Sequence, residues 1–198
     1  MSVSRRTLLA AGPATAAALA MPAGAQTSSP TGASSADRQA PGFYRYKIGD
    51  IEITAIHDGS APRPLENFIR NADIAEVRKA AEEAFLPTDA YQNTFTPMVL
   101  RSGGKIILID TGLGDAGAPT TGLAVTNMRA AGIDPARVDI VIISHFHGDH
   151  INGLRLKDGT AVYPNAEIMV PAPEWAFWMD DARMAQAPEG LKGSFQNA

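Results

Sequence analysis

Ile143-Ser144-His145-Phe146-His147-Gly148-Asp149-His150 places three of the chain's four histidines, with an aspartate, directly behind an apolar run. That run, Asp139 to Ile143, is β-branched throughout its centre, and being apolar on both sides it predicts an inner strand covered on both faces. Where extended backbone continues beyond such a strand, residues i and i+2 point the same way, so the imidazoles of His145 and His147 converge on one point. Gly148 permits a sharp turn, after which Asp149 and His150 can face a second point close to the first. This is a pattern for two neighbouring cations. Neutral imidazole and carboxylate donors suit zinc, and manganese, iron or cobalt as well. The competing explanation, a polar strand-to-helix turn whose histidines act as caps, needs this gathering of histidines to be chance.

The totals narrow the setting. A length of 198 residues with 45 % hydrophobic content fits one globular domain with a short appendage. A formal net charge of -4, without any lysine-rich block, argues against a nucleic acid partner. With no cysteine in the chain, disulfides, iron-sulfur clusters, thiolate zinc sites and cysteine nucleophiles all drop out, and any metal must be held by nitrogen and oxygen. The first 25 residues carry Arg5-Arg6 ahead of an Ala/Leu stretch too short for a bilayer span, with Ala23-Gly24-Ala25 offering small residues for a signal peptidase. They are similar to a twin-arginine export signal, which implies a periplasmic or secreted protein with no membrane segment in its mature form. Residues 26–41, rich in Ser, Thr, Pro, Gly and Ala, read as a flexible linker.

The domain is expected over residues 42–198. Tyr44 to Ile48 and Ile51 to Ile56 read as strands around a Gly49-Asp50 turn, the second with Ile51, Ile53 and Ala55 inward and Glu52 and Thr54 outward. Between Asn71 and Phe85, Ile74, Val77, Ala81, Ala84 and Phe85 recur at helical spacing, which predicts a helix lying on a core by one stripe, with Asn71 or Asp73 as its cap. Thr96 to Arg101 and Lys105 to Ile109 form a hairpin through Gly103-Gly104. A helix over Leu123 to Ala131 stopped by Gly132, a short turn at Asp134-Pro135, a strand over Glu167 to Val170 and a helix beginning near Pro173 complete the pattern.

His145-Phe146-His147-Gly148-Asp149-His150 resembles the H-x-H-x-D-H signature of the metallo-β-lactamase superfamily. Asp110-Thr111-Gly112 is similar to that family's strand-ending D-T-G, and His57-Asp58-Gly59 to a turn near the start of many members. Within the superfamily the chain looks most like exported methyl parathion hydrolase-like enzymes, through its Tyr44-Arg45 opening, the Gly49 to Ala55 strand and Tyr163-Pro164-Asn165-Ala166. The resemblance implies an α/β fold of α+β type, the amino-terminal half of an αββα sandwich. It implies that His145 and His147 bind a first metal and Asp149 and His150 a second, with zinc expected at two ions per chain. It further implies that Asp110 orients a ligand imidazole from behind the metal.

The implied activity is metal-dependent hydrolysis, an activated water attacking an ester, lactone or phosphoester-type small molecule. Trp178 and Phe195 are the candidate aromatic walls of a substrate pocket, although core packing would use the same residues. His57 carries no ligand role. No histidine follows His150, whereas family members add a histidine to each metal and a bridging aspartate from the second half of the sandwich; Asp158, Asp180 and Asp181 lack that context. The chain is therefore expected to be the amino-terminal part of a longer hydrolase, inactive alone and with an apolar sheet face uncovered. A naturally short, non-catalytic relative acting as a binding module, compatible with a homodimer, and an iron-containing oxidoreductase on the same fold are the alternatives.

Overall fold

The computed structural model describes residues 40–66 and 68–198. The export signal expected over residues 1–25, and all but the last two residues of the linker, lie outside the described residues.

A six-stranded sheet in the order β1-β2-β5-β6-β7-β8 organises the domain, with β1 at Phe43–Ile48, β2 at Ile51–Ile56, β5 at Met98–Ser102, β6 at Lys105–Ile109, β7 at Ile140–Ile142 and β8 at Glu167–Met169. The first four strands pair antiparallel, β1 with β2 and β5 with β6 through tight turns and β2 with β5 across the long segment between Ile56 and Met98, and β6, β7 and β8 run parallel. Parallel neighbours need a crossover rather than a hairpin. Helix α2, Ala124–Ala130, lies in the connection from β6 to β7, and α3, Gly148–Ile151, in the connection from β7 to β8. Three further helices, α4 at Ala172–Trp178, α5 at Asp181–Gln186 and α6 at Glu189–Asn197, follow β8. No helix among the described residues is long and apolar enough to cross a membrane. The sheet is thus mixed and the class α/β, as expected.

Register explains which face is the core. Thr54, Val99, Leu108 and Val141 are cross-strand partners and share one face. All are buried, and they belong with Met128 of α2 and Ile133 beyond it to the fully buried interior. Each such side chain contributes about 1.5–3 kcal/mol by leaving water. The opposite face carries Leu100, Ile107, Ile109 and Ile140, only half buried, and Ile142, which is 36 % exposed.

Two expectations are corrected here. The strand before the histidines is inner in the sense of its hydrogen bonds, with a partner on each edge, but it is not covered on both faces: Val141 and Ile143 are buried, and Ile142 is open. Thr54 does not face outward either. It is buried against Val99 and carries its hydroxyl to within 3.4 Å of the Arg45 guanidinium, which is how a polar side chain is tolerated there.

A second, two-stranded sheet pairs β3, Gly59–Pro64, with β4, Ala90–Phe95. Helix α1, Ile74–Glu83, sits in the connection between them, capped by Asp73, whose carboxylate accepts from Ala75 N at 2.8 Å. The expected stripe is only half buried at Ile74, Val77 and Ala81, and no residue of α1 is buried. Phe85, counted in that stripe, ends the helix in the left-handed region with φ +57° and is 96 % exposed. The helix therefore rests on a minor apolar cluster around Leu65 and Tyr91, not on the main core.

Candidate metal centre

The histidine-rich stretch begins where β7 ends, beside the end of β6, so it opens at the carboxyl ends of two adjacent parallel strands. Open α/β sheets bind ligands at this edge because the chain must leave each strand there in a loop. Asp110 is the first residue beyond β6 and has φ +57°, a left-handed conformation uncommon for a non-glycine residue. Its backbone N–H donates to Ile142 O at 2.9 Å, and its carboxylate accepts from Ser144 N and from Ser144 Oγ, both at 2.8 Å. Those bonds lock the two strand ends together and aim the carboxylate at the histidines.

His150 Nδ1 lies 2.8 Å from Asp110 Oδ2. A carboxylate can only accept, so Nδ1 carries the proton and the lone pair of the neutral ring is on Nε2. That nitrogen faces Asp149 Oδ2 at 3.4 Å. The backbone is held as well: His150 O accepts from Thr111 N at 2.9 Å and from Thr111 Oγ1 at 2.8 Å. Asp110 and Thr111 therefore fix one histidine twice, by its ring and by its carbonyl. His145 Nε2 stands 3.1 Å from His147 Nδ1, and the His145 and His150 rings are 3.9 Å apart between centroids. Burial, together with the neighbouring His150 and His147 rings, holds the His145 imidazole below its ordinary value and so favours its neutral form.

The donor set can be tested against zinc by its spacing. Two ligand atoms on a tetrahedral zinc with bonds of about 2.0–2.2 Å stand about 3.3 Å from each other. The pair His150 Nε2 and Asp149 Oδ2, at 3.4 Å, has that separation, and the pair His145 Nε2 and His147 Nδ1, at 3.1 Å, stands slightly closer, at hydrogen-bond distance. Among the described residues, no three histidine or carboxylate side chains form a group able to hold one ion, so each pair supplies two donors. The downstream carboxylates are engaged elsewhere: Asp180 caps α5 through Ala182 N and Arg183 N, and Asp158 accepts from Thr160 N.

Two residues at the site, Ser144 and Glu174, and one behind it, Asp58, carry roles that the sequence does not show. Ser144 reaches Asp110, His145 and His150 through one hydroxyl, at 2.8, 3.1 and 3.3 Å. Glu174, in the first turn of α4, accepts from Phe146 N at 2.8 Å and from Trp178 Nε1 at 2.9 Å, and the Phe146 bond is the main reason its carboxyl is held below the usual range. Asp58 lies farther back, wholly buried, and accepts from Leu113 N and Ala124 N, both at 2.9 Å. Burial pushes its carboxyl up, and those backbone donors offset part of that rise. Gly112 makes room for Asp58: it has φ +75°, and a Cβ there would come within 2.5 Å of the carboxyl carbon. Gly148, by contrast, has no left-handed backbone; it opens α3, and a Cβ on it would meet Asn152 Nδ2 at 2.9 Å. Sharp turning is not its contribution.

Trp178 is 8 % exposed, with its ring edge-on to His147 at 6.2 Å. Phe195, 6 % exposed, packs behind Trp178 at 4.8 Å and reaches no histidine ring. His57 stays in the turn before β3, its carbonyl accepting from Asn127 Nδ2 at 2.6 Å.

Comparison with known proteins gives matches to one superfamily over part of the chain. Residues 96–190 match the family model described as the metallo-beta-lactamase superfamily. The solved structure of hydrolase AbOPH, of the beta lactamase superfamily, superposes with a TM-score of 0.74 at 28 % identity, covering 81 % of this chain and 56 % of that one. AidC, a dizinc quorum-quenching lactonase, superposes with a TM-score of 0.73 at 26 % identity, covering 78 % and 55 %. Among curated sequences, ribonuclease Z of Pyrococcus furiosus is 37 % identical over 57 residues, 29 % of this chain and 16 % of that protein. The chain thus spans about half the length of the solved structures it matches.

Proposed function

We propose, from the match of residues 96–190 to the metallo-beta-lactamase superfamily model, that this chain belongs to that superfamily and carries part of the active centre of a metal-dependent hydrolase acting on an ester, lactone or phosphoester-type small molecule. The observation that carries the proposal is the paired spacing: two donor pairs, each close to the separation of neighbouring zinc ligands, lie side by side with one member fixed by Asp110. The dizinc lactonase AidC supports zinc as the metal and lactones among the substrates.

In this proposal His145 and His147 hold one ion, and Asp149 and His150 the other. Bound zinc would supply an activated water, its pKa lowered to about 7, and would polarise the oxygen of the bond under attack. Asp110 keeps the His150 proton on Nδ1, leaving Nε2 free to bind, and Ser144 holds Asp110 in place by donating to it. The neutral form favoured at His145 leaves a ring lone pair available at neutral pH. Trp178, edge-on to His147, forms an apolar wall next to the reacting centre, and Phe195 backs it.

Metal analysis of the intact protein tests the proposal. About two zinc ions per chain are expected, with hydrolysis of a lactone or ester panel abolished by chelation and restored by zinc. Full activity in a protein stripped of metal would sink it.

Export is part of the same proposal, supported by Arg5-Arg6, the Ala/Leu stretch after it and Ala23-Gly24-Ala25. The mature protein recovered from its native host is expected to begin at Gln26 and to be found outside the cytoplasm. An amino terminus still at Met1 or Ser2 would contradict this.

A further inference from the structure

We propose that Glu174 is a positioning residue for the metal centre, joining the loop between His145 and His147 to the aromatic helix. The inference rests on the metal-centre proposal above and extends it to a residue outside the histidine motif. Phe146 is the residue between the two histidines, and its N–H donates to Glu174 Oε2 at 2.8 Å. The same oxygen accepts from Trp178 Nε1 at 2.9 Å. One carboxylate oxygen thus ties down the backbone of the His-x-His turn and the indole that stands edge-on to His147.

The turn is held before His145 by Ser144 and after it by the His147 carbonyl, and Glu174 supplies the bond to the N–H between the two histidines. Phe146 is buried, which anchors its ring, but ring burial alone leaves the peptide plane before it free to rotate. That peptide joins His145 to Phe146, so its rotation would swing the two imidazoles out of their 3.1 Å pairing. Glu174 reaches it across a sequence gap of 28 residues, from the first turn of α4. A bond to the charged acceptor is also stronger than one between neutral groups, which suits a partly solvated position.

The test measures zinc affinity of the intact, metal-stripped protein by competition with a chromophoric chelator. Alongside it run the unfolding midpoint of the metal-free form and steady-state kinetics. Glu174→Ala is expected to weaken zinc binding about 10- to 100-fold, in the range seen when groups behind metal ligands are lost. Glu174→Gln keeps an oxygen able to accept both N–H groups and is expected to bind zinc within about threefold of the parent. Glu174→Ala leaves Phe146 N and Trp178 Nε1 without their acceptor and is expected to lower the metal-free midpoint, whereas Glu174→Gln keeps both bonds and a parent-like midpoint; zinc affinity is read well below every midpoint, where a residue that only stabilised the fold would leave it unchanged.

Zinc affinity of Glu174→Ala within about twofold of the parent would overturn the role, and so would a loss in Glu174→Gln equal to that in Glu174→Ala. If the alanine variant does not fold, Glu174→Asp serves: one methylene shorter, it cannot reach both donors, and parent-like zinc binding in it would also overturn the role. A parent that binds no zinc at all would remove the metal-centre proposal and this one together. A zinc-binding parent with unaffected Glu174 variants would remove this one alone.

Discussion

Replacing His147 by alanine is expected to lower kcat/KM of the intact protein by at least about 10³-fold, with the zinc content falling from about two ions to about one. Folding should be almost unaffected, within about 0.5 kcal/mol, because the side chain is exposed and the adjoining helix does not use it. Helix α3 starts on the His147 backbone carbonyl, which accepts from His150 N at 2.9 Å, and alanine keeps that carbonyl. What alanine removes is one of the two donors proposed for the first position, leaving His145 as the other. The effect should appear in kcat and in metal content, with no loss of helical signal. His57→Ala serves as the control, since that side chain is in neither donor pair and should leave zinc content unchanged. Retention of both zinc ions and of activity within tenfold in His147→Ala would remove His147 from the centre.

How much of this was legible in the sequence depended on the range of the interactions. The β2 strand, the β5–β6 hairpin and the histidine stretch are written in consecutive residues, where alternation, a Gly103-Gly104 turn and the i, i+2 rule are sufficient. Asp73 as the cap of α1 and Asp134 as the cap of the turn after Gly132 are local in the same way. The β3–β4 pair was not legible. Pro62 and Pro64 argue against a strand, and the partner segment lies on the far side of α1, so neither half shows its pairing.

Ser144 and Glu174 were hidden for a related reason. Each is an ordinary polar residue whose role exists only once β6 and β7 end side by side, or once α4 packs near the histidine turn. The stripe on α1 was misleading because periodicity reports that a helix has an apolar side without saying which cluster it meets. Register in the sheet had a similar limit. Thr54 looked outward by its polarity, yet its position opposite Val99 puts it in the core, and Ile142 looked buried by its neighbours yet faces the half-open side.

Asp58 looked like a turn residue, and its replacement carries the largest expected effect on stability. Asp58→Ala should destabilise the fold by about 3 kcal/mol, because it leaves Leu113 N and Ala124 N buried without an acceptor and each such group costs about 1–3 kcal/mol. Those two donors belong to the loop after Asp110-Thr111-Gly112 and to the start of α2, so a single carboxylate holds three segments: the turn after β2, the loop leaving β6 and the crossover helix. Burial raises the carboxyl above its ordinary value of 3.8 in the folded chain. The stability linked to that raised value is fully present below pH 3.8, where the group is protonated in both states, and is lost as pH rises through the folded value. At pH 7 the parent already bears the cost of a buried charge, so a deficit measured there is the smaller one, and it should grow toward acid. Urea unfolding at pH 7 is the measurement, with a midpoint shift of about 1.5 M expected for a slope of about 2 kcal/mol/M. Asp58→Asn should recover little, since its amide nitrogen would face one of the two backbone donors. A shift below about 0.5 M for Asp58→Ala would show that water or rearranged backbone satisfies those donors. The loop behind Asp110 would then be held by something other than this carboxylate.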